Sequence, residues 1–173
     1  MDKYVALAKK TIEAFIKTGQ IIKVPADLPE GLLKEKAGVF VSLHRKSDRS
    51  LRGCIGTFQP TKENIALEII SNAVSAAFRD PRFNPIKSEE LEDLEINVDV
   101  LTSPEPVDDI KLLDAKKYGV IVKTEDGRAG LLLPDLEGVE SPQEQIDICG
   151  QKGGIDPENE KISLLRFRVE RHK

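Results

Sequence analysis

Few side chains in this sequence have covalent chemistry to offer. The most suggestive is Cys54, which stands between Gly53 and Gly56 and two residues after Arg52 in Leu51-Arg52-Gly53-Cys54-Ile55-Gly56-Thr57-Phe58. The thiolate is the nucleophilic form of cysteine, and a neighbouring guanidinium favours it while offering five donors to an anionic group. Leu51, Ile55 and Phe58 are strand formers, whereas glycine leaves a strand with nothing to pack. Gly53 and Gly56 therefore mark a bulge, a bend or a close approach by something else. Two readings follow. In one, Cys54 is a catalytic nucleophile, Arg52 steadies its thiolate, and the bare backbone makes room for substrate. In the other, Cys54 is a small hydrophobe, and Arg52, Gly53, Cys54, Ile55, Gly56 and Thr57 grip a peptide, a protein or a small ligand.

A second candidate is Arg79-Asp80-Pro81-Arg82-Phe83, where Pro81 ends a helix and leaves Arg79, Asp80 and Arg82 in an irregular turn. Its plainest alternative is a solvated helix terminus with Asp80 paired to a neighbouring arginine. Glu95, Asn97 and Asp99 alternate along one side of a strand and read as a wet sheet face rather than a site. The two histidines, His44 and His172, and the two cysteines, Cys54 and Cys149, show no metal-ligand spacing, so neither a metal nor a cofactor is expected. Gly150-Gln151-Lys152-Gly153-Gly154 lacks the spacing of a phosphate loop.

The elements that must position these residues are legible from periodicity. Val5, Leu7, Ala8, Ile12, Phe15 and Ile16 space as an amphipathic helix stopped by Gly19. Val39, Val41 and Leu43 alternate with Phe40, Ser42 and His44, and Lys46 to Arg49 turn the chain into the Cys54 strand as a hairpin. If that turn is symmetric about Ser47 and Asp48, His44 faces Leu51 and Val41 faces Cys54. Cys54 then shares a face with Arg52 and Leu43, and His44 lies on the other, against a His44–Cys54 dyad; a bulge at Gly53 would reverse this. Thr61 reads as the cap of a helix bearing Ile65, Ile69, Ala73 and Ala76. A strand covers Leu94 to Val100, a proline connector Thr102 to Val107, and a helix Leu112 to Lys117. Gly119–Thr124 and Arg128–Leu133 form a hairpin, Ser141 and Pro142 open a helix that makes Cys149 core, and a last strand begins at Ile162.

These residues also resemble a known family. Leu51 to Gly56 match the Leu-Arg-Gly-Cys-Ile-Gly hexamer of the AMMECR family, whose later blocks are similar to Arg79–Phe83, Gly119–Val122 and Gly127–Pro134. The resemblance implies two subdomains with the hexamer facing a cleft between them, and a pathway shared with a Memo-like protein and a radical S-adenosylmethionine protein. It carries no established biochemical activity. Combined with the elements, it gives an α+β fold. The larger subdomain, 1–104 plus 159–173, holds a mainly antiparallel sheet flanked by helices, and the smaller, 105–158, a short antiparallel sheet with helices.

Composition narrows the remaining choices. The 173 residues suit one domain or two small lobes. With 26 Lys and Arg against 30 Asp and Glu, the net charge of −4 gives no general pull towards nucleic acid or anionic membrane. No apolar run approaches the roughly 20 residues of a membrane span, and Met1-Asp2-Lys3-Tyr4 is unlike a signal peptide, so a cytoplasmic location with reduced thiols is expected.

Overall fold

The computed structural model describes residues 2–173. They form two compact units, one running to Leu101 and including Glu170–Lys173, the other spanning Thr102–Val169.

The first unit opens with helix α1 (Lys3–Thr18), capped by the Asp2 carboxylate, which accepts the Tyr4 and Val5 amides, and closed by Gly19 at φ 69°. A short helix α2 (Glu30–Lys34) follows. Strands β1 (Val39–Arg45) and β2 (Leu51–Thr57) make the expected hairpin, and helix α3 (Ile65–Phe78) and strand β3 (Leu94–Leu101) come next. With β8 (Val169–His172) they build a four-stranded sheet in the order β2-β1-β3-β8, which leaves β2 on an edge. Val39, Val41, Leu43 and Val98 point to the helix-covered face and are fully buried, with Ile12 of α1 and Ile69 and Ala73 of α3 in the same core. Each such Val, Leu or Ile burial contributes roughly 1.5–3 kcal/mol.

Two local details differ from the sequence expectations. Helix α3 is capped by Asn64, whose Oδ1 accepts the Leu67 amide at 2.9 Å, not by Thr61. Thr61 is instead bound by Glu68, as described below. The hairpin carries an irregularity between Leu43 and His44: Leu43 faces Gly53 and His44 faces Leu51, so Arg52 is the extra residue. That single insertion shifts everything beyond it, and Cys54 faces Ser42 instead of Val41.

In the second unit, β4 (Glu105–Val107), β5 (Gly119–Thr124), β6 (Ala129–Leu132) and β7 (Ile162–Phe167) form an antiparallel sheet in the order β4-β7-β5-β6. Helix α4 (Pro142–Gly153) packs on β5 and β6 behind a Ser141–Glu144 capping box. Its Cys149 is completely buried, and burial pushes that thiol up to about 12. The expected helix at Leu112–Lys117 is a single 3-10 turn at Ile110–Leu112, because Asp109 and Asp114 bind amides of their own turns. Part of the proline connector is strand β4. The last strand is two: β7 pairs with β4 and β5, while β8 joins the β1–β3 sheet. The two compact units divide at Leu101/Thr102 and Val169/Glu170.

Candidate functional site

Because β2 is an edge strand, alternate residues turn their backbone polar groups away from the sheet, and Cys54 is one of them. Its N–H donates to Asp80 Oδ2 at 2.9 Å, and its carbonyl accepts from Arg82 Nη2 at 3.1 Å. Asp80 and Arg82 are joined in turn: Asp80 Oδ1 accepts Arg82 Nε at 3.0 Å and the Arg82 amide at 3.1 Å, and Oδ2 accepts Nη2 at 2.7 Å. The pair stands where a neighbouring strand would, closing an edge that would otherwise invite another chain. Asp80 is only 3% exposed. Its hydrogen bonds from Arg82, opposed by burial and helped by the Cys54 amide, hold its carboxyl far below the usual carboxylate range. Two residues of the charged turn thus meet the motif directly, while Arg79 is exposed at the end of α3.

Arg52 keeps different company from that expected. It is buried, with Nε and Nη2 donating to Glu90 at 2.7 and 3.0 Å and Nη1 to the Asn84 carbonyl at 2.9 Å. Its fork is spent on tying residues 84–90 to β2, and the guanidinium bound to Cys54 belongs to Arg82. The bulge is the cause, since it takes Arg52 out of the alternation that would have aligned it with Cys54.

Neither glycine leaves room for a ligand. A Cβ on Gly53 would lie 2.2 Å from the Ala76 carbonyl oxygen, so that glycine lets α3 press against β2. A Cβ on Gly56 would lie 2.2 Å from Phe40 Cγ, so the Phe40 ring fills the space above it. Ile55 packs towards the core. Thr57 donates to Glu68 Oε1 at 2.7 Å and accepts from Asn72 Nδ2 at 3.2 Å.

What the motif turns outward is the Cys54 side chain. On the face opposite the helices, Cys54, Ser42 and Asn97 stand side by side across β2, β1 and β3. Phe40 lies one row along, between Gly56 and Asp99, and His44 one row the other way, opposite Glu95. His44 therefore shares the face of Cys54, reversing the expectation from a symmetric hairpin. This face is not wet throughout: Glu95 is exposed, but Asn97 is 9% and Asp99 2% exposed. Asp99 is held by Arg171 at 2.8 and 2.9 Å. Asn97 Oδ1 is buried with no hydrogen-bond partner among the described residues.

Glu68 is the buried group that sequence reasoning passed over. Burial pushes its carboxyl up, but four bonds outweigh this and hold it below the usual range: the hydroxyls of Thr57 and Thr61 and the amides of Thr61 and Lys62. Asn72, one turn later, donates to the Val39 carbonyl at 2.9 Å. Two polar residues four apart inside an apolar helix were the available signal. Among the described residues no group of three or more His, Cys, Asp or Glu is arranged to hold a metal, and no helix is long and apolar enough to cross a membrane.

Comparison with known proteins adds the family. A model of the AMMECR1 family matches residues 5–172, nearly the whole chain. The chain belongs to the AMMECR1 family. It is similar to a Thermotoga maritima protein, 51% identical over 170 residues that cover 98% of this chain and 97% of that one. A Clostridium acetobutylicum protein is 46% identical over 173 residues, covering 99% of this chain but 36% of its own length. An uncharacterised protein from Pyrococcus horikoshii, solved by crystallography, superposes with a TM-score of 0.87 at 34% identity, covering 97% of this chain and 88% of that one. The α+β fold is thus shared with that solved structure.

Proposed function

We propose that the outer face of the first sheet around Cys54 is a recognition surface for a peptide, a protein or a small ligand. In this reading the hexamer builds the surface instead of lending its own backbone to the ligand. The edge of β2 at Cys54 is closed by Asp80 and Arg82, and Gly53 and Gly56 are filled by α3 and Phe40. A ligand is therefore read by side chains on the face and not by strand addition. The observation that carries the proposal is Asn97 Oδ1, a buried acceptor without a partner among the described residues and in register with Ser42 and Cys54. Leaving such a group unmade costs about 1–3 kcal/mol; because Oδ1 itself is covered, a ligand N–H or O–H recovers it when the side chains over it move aside on binding. The test is Asn97→Leu, which keeps the volume and removes the acceptor. The expected result is loss of rescue in a deletion strain together with unchanged or slightly raised thermal stability, as at sites where stability is traded for function. A fully functional Asn97→Leu protein sinks the proposal.

A second reading, in which Cys54 is a nucleophile, gains from the bulge. His44 is a diagonal neighbour of Cys54 on one face, across the bulge, and Glu95 stands opposite His44. It requires Cys54→Ser to be folded and inactive, whereas the recognition reading expects that change to be nearly silent. The shared pathway with Memo-like and radical S-adenosylmethionine proteins stands as a proposal that rests on the family resemblance.

A further inference from the structure

Apart from the hexamer, the second unit carries a compact group of cations around one phenol. Arg166, near the end of β7, and Arg168, just beyond it, are two residues apart and extend to the same side. Their guanidinium carbons lie 4.4 and 5.3 Å from the centroid of the Tyr118 ring, and Arg168 Nη2 donates to the Tyr118 hydroxyl at 3.2 Å. That bond, opposed by partial burial and supported by the charges of Arg166, Arg168 and Lys117, holds the phenol below its ordinary range.

Acidic compensation is thin. Arg166 meets Glu105 at 3.3 Å and donates to the Leu112 carbonyl at 2.7 Å. Among the described residues neither Arg168 nor Lys117 forms an ion pair with a carboxylate. Arg166 and Arg168 thus bring two guanidiniums to one ring, with Glu105 the carboxylate within ion-pair distance of them among the described residues. Arg168 spends one donor on Tyr118, and the Tyr118 hydroxyl proton is available to an acceptor.

We infer that Arg166, Arg168, Lys117 and the Tyr118 hydroxyl form a binding site for a phosphate-type dianion. A phosphate monoester carries roughly −1.5 to −2 at neutral pH, enough to answer both guanidiniums. Guanidinium forks suit tetrahedral oxyanions, and the stacked ring fixes both of them in place. Leu112, 54% exposed, adjoins the site through its carbonyl bond to Arg166, so an apolar group carried by the phosphate has a surface to cover.

The chain has two tyrosines and no tryptophan. A Tyr4→Phe variant therefore leaves Tyr118 as the reporter. Its fluorescence is titrated with inorganic phosphate, with butyl phosphate and, at matched ionic strength, with chloride. The expected result is a saturable change with both phosphates, tighter for butyl phosphate, none with chloride, and at least tenfold weaker binding in Arg168→Gln. Equal affinity of the two phosphates keeps the oxyanion site and assigns it to free phosphate. If Arg168→Gln fails to fold, Lys117→Gln must weaken phosphate at least threefold. A linear, non-saturating response, or an affinity untouched by these substitutions, overturns the inference.

Discussion

Asp80→Asn is the substitution that most directly tests how Cys54 is held. The carboxylate accepts on both oxygens: Oδ1 from the Arg82 amide and Nε, Oδ2 from the Cys54 amide and Arg82 Nη2. An amide in the same place must turn its NH2 towards one of those donor pairs, so two of the four bonds are lost whichever way it rotates. Hydrogen bonds to a charged group are worth about 1.5–3 kcal/mol each. Asp80 is buried, but the Arg82 side chain is 55% exposed and water screens its share, which brings the expected loss to about 2–3 kcal/mol. The loss depends on pH with a definite sign. The folded carboxyl of Asp80 lies below its unfolded value, so its contribution is fully present above the unfolded carboxylate range. It fades as pH falls below that range. Urea unfolding of both proteins at pH 7 and at pH 3 measures this: the gap should be full at pH 7 and smaller at pH 3. In the variant, exchange of the Cys54 amide should also quicken. A gap under about 0.5 kcal/mol at pH 7, or one that does not shrink in acid, would refute the reasoning.

Alkylation at neutral pH should reach Cys54 well before Cys149, whose thiol is fully buried and pushed up to about 12; mass spectrometry of partly labelled protein decides, and preferential labelling of Cys149 would be the contrary result. Gly56→Val should destabilise by about 1–3 kcal/mol or more because its side chain must displace the Phe40 ring, and a Phe40→Ala background should absorb much of that loss in a double-mutant cycle. Arg52→Lys keeps the charge but loses the paired bonds to Glu90 and the bond to the Asn84 carbonyl, so a cost of about 2–4 kcal/mol is expected by urea unfolding. Wild-type stability in that variant would mean that the fork does not tie residues 84–90 to β2.

Periodicity and turn chemistry were enough to find α1, the β1–β2 hairpin, α3, β3, the β5–β6 hairpin and α4, because each depends on neighbours a few residues away. The Ser141–Pro142 start, the Gly19 stop and the core position of Cys149 were legible for the same reason. Also legible was the association of the charged turn with the motif, as far as Asp80 and Arg82 are concerned. The face on which Cys54 stands was not. It depends on one extra residue at Arg52, which fits because Arg52 finds Glu90 and Asn84 far along the chain and because Gly53 admits the α3 backbone. A one-residue slip turns every later side chain of the strand over. The roles of the glycines likewise belonged to tertiary contacts: sequence announced bare backbone, and only packing revealed that a helix and a phenylalanine ring use it. The single C-terminal stretch became two strands of different sheets because partners on β5 and β3, remote in sequence, compete for it. Local pattern decided which segments are helix or strand; long-range pairing decided which groups meet at Cys54.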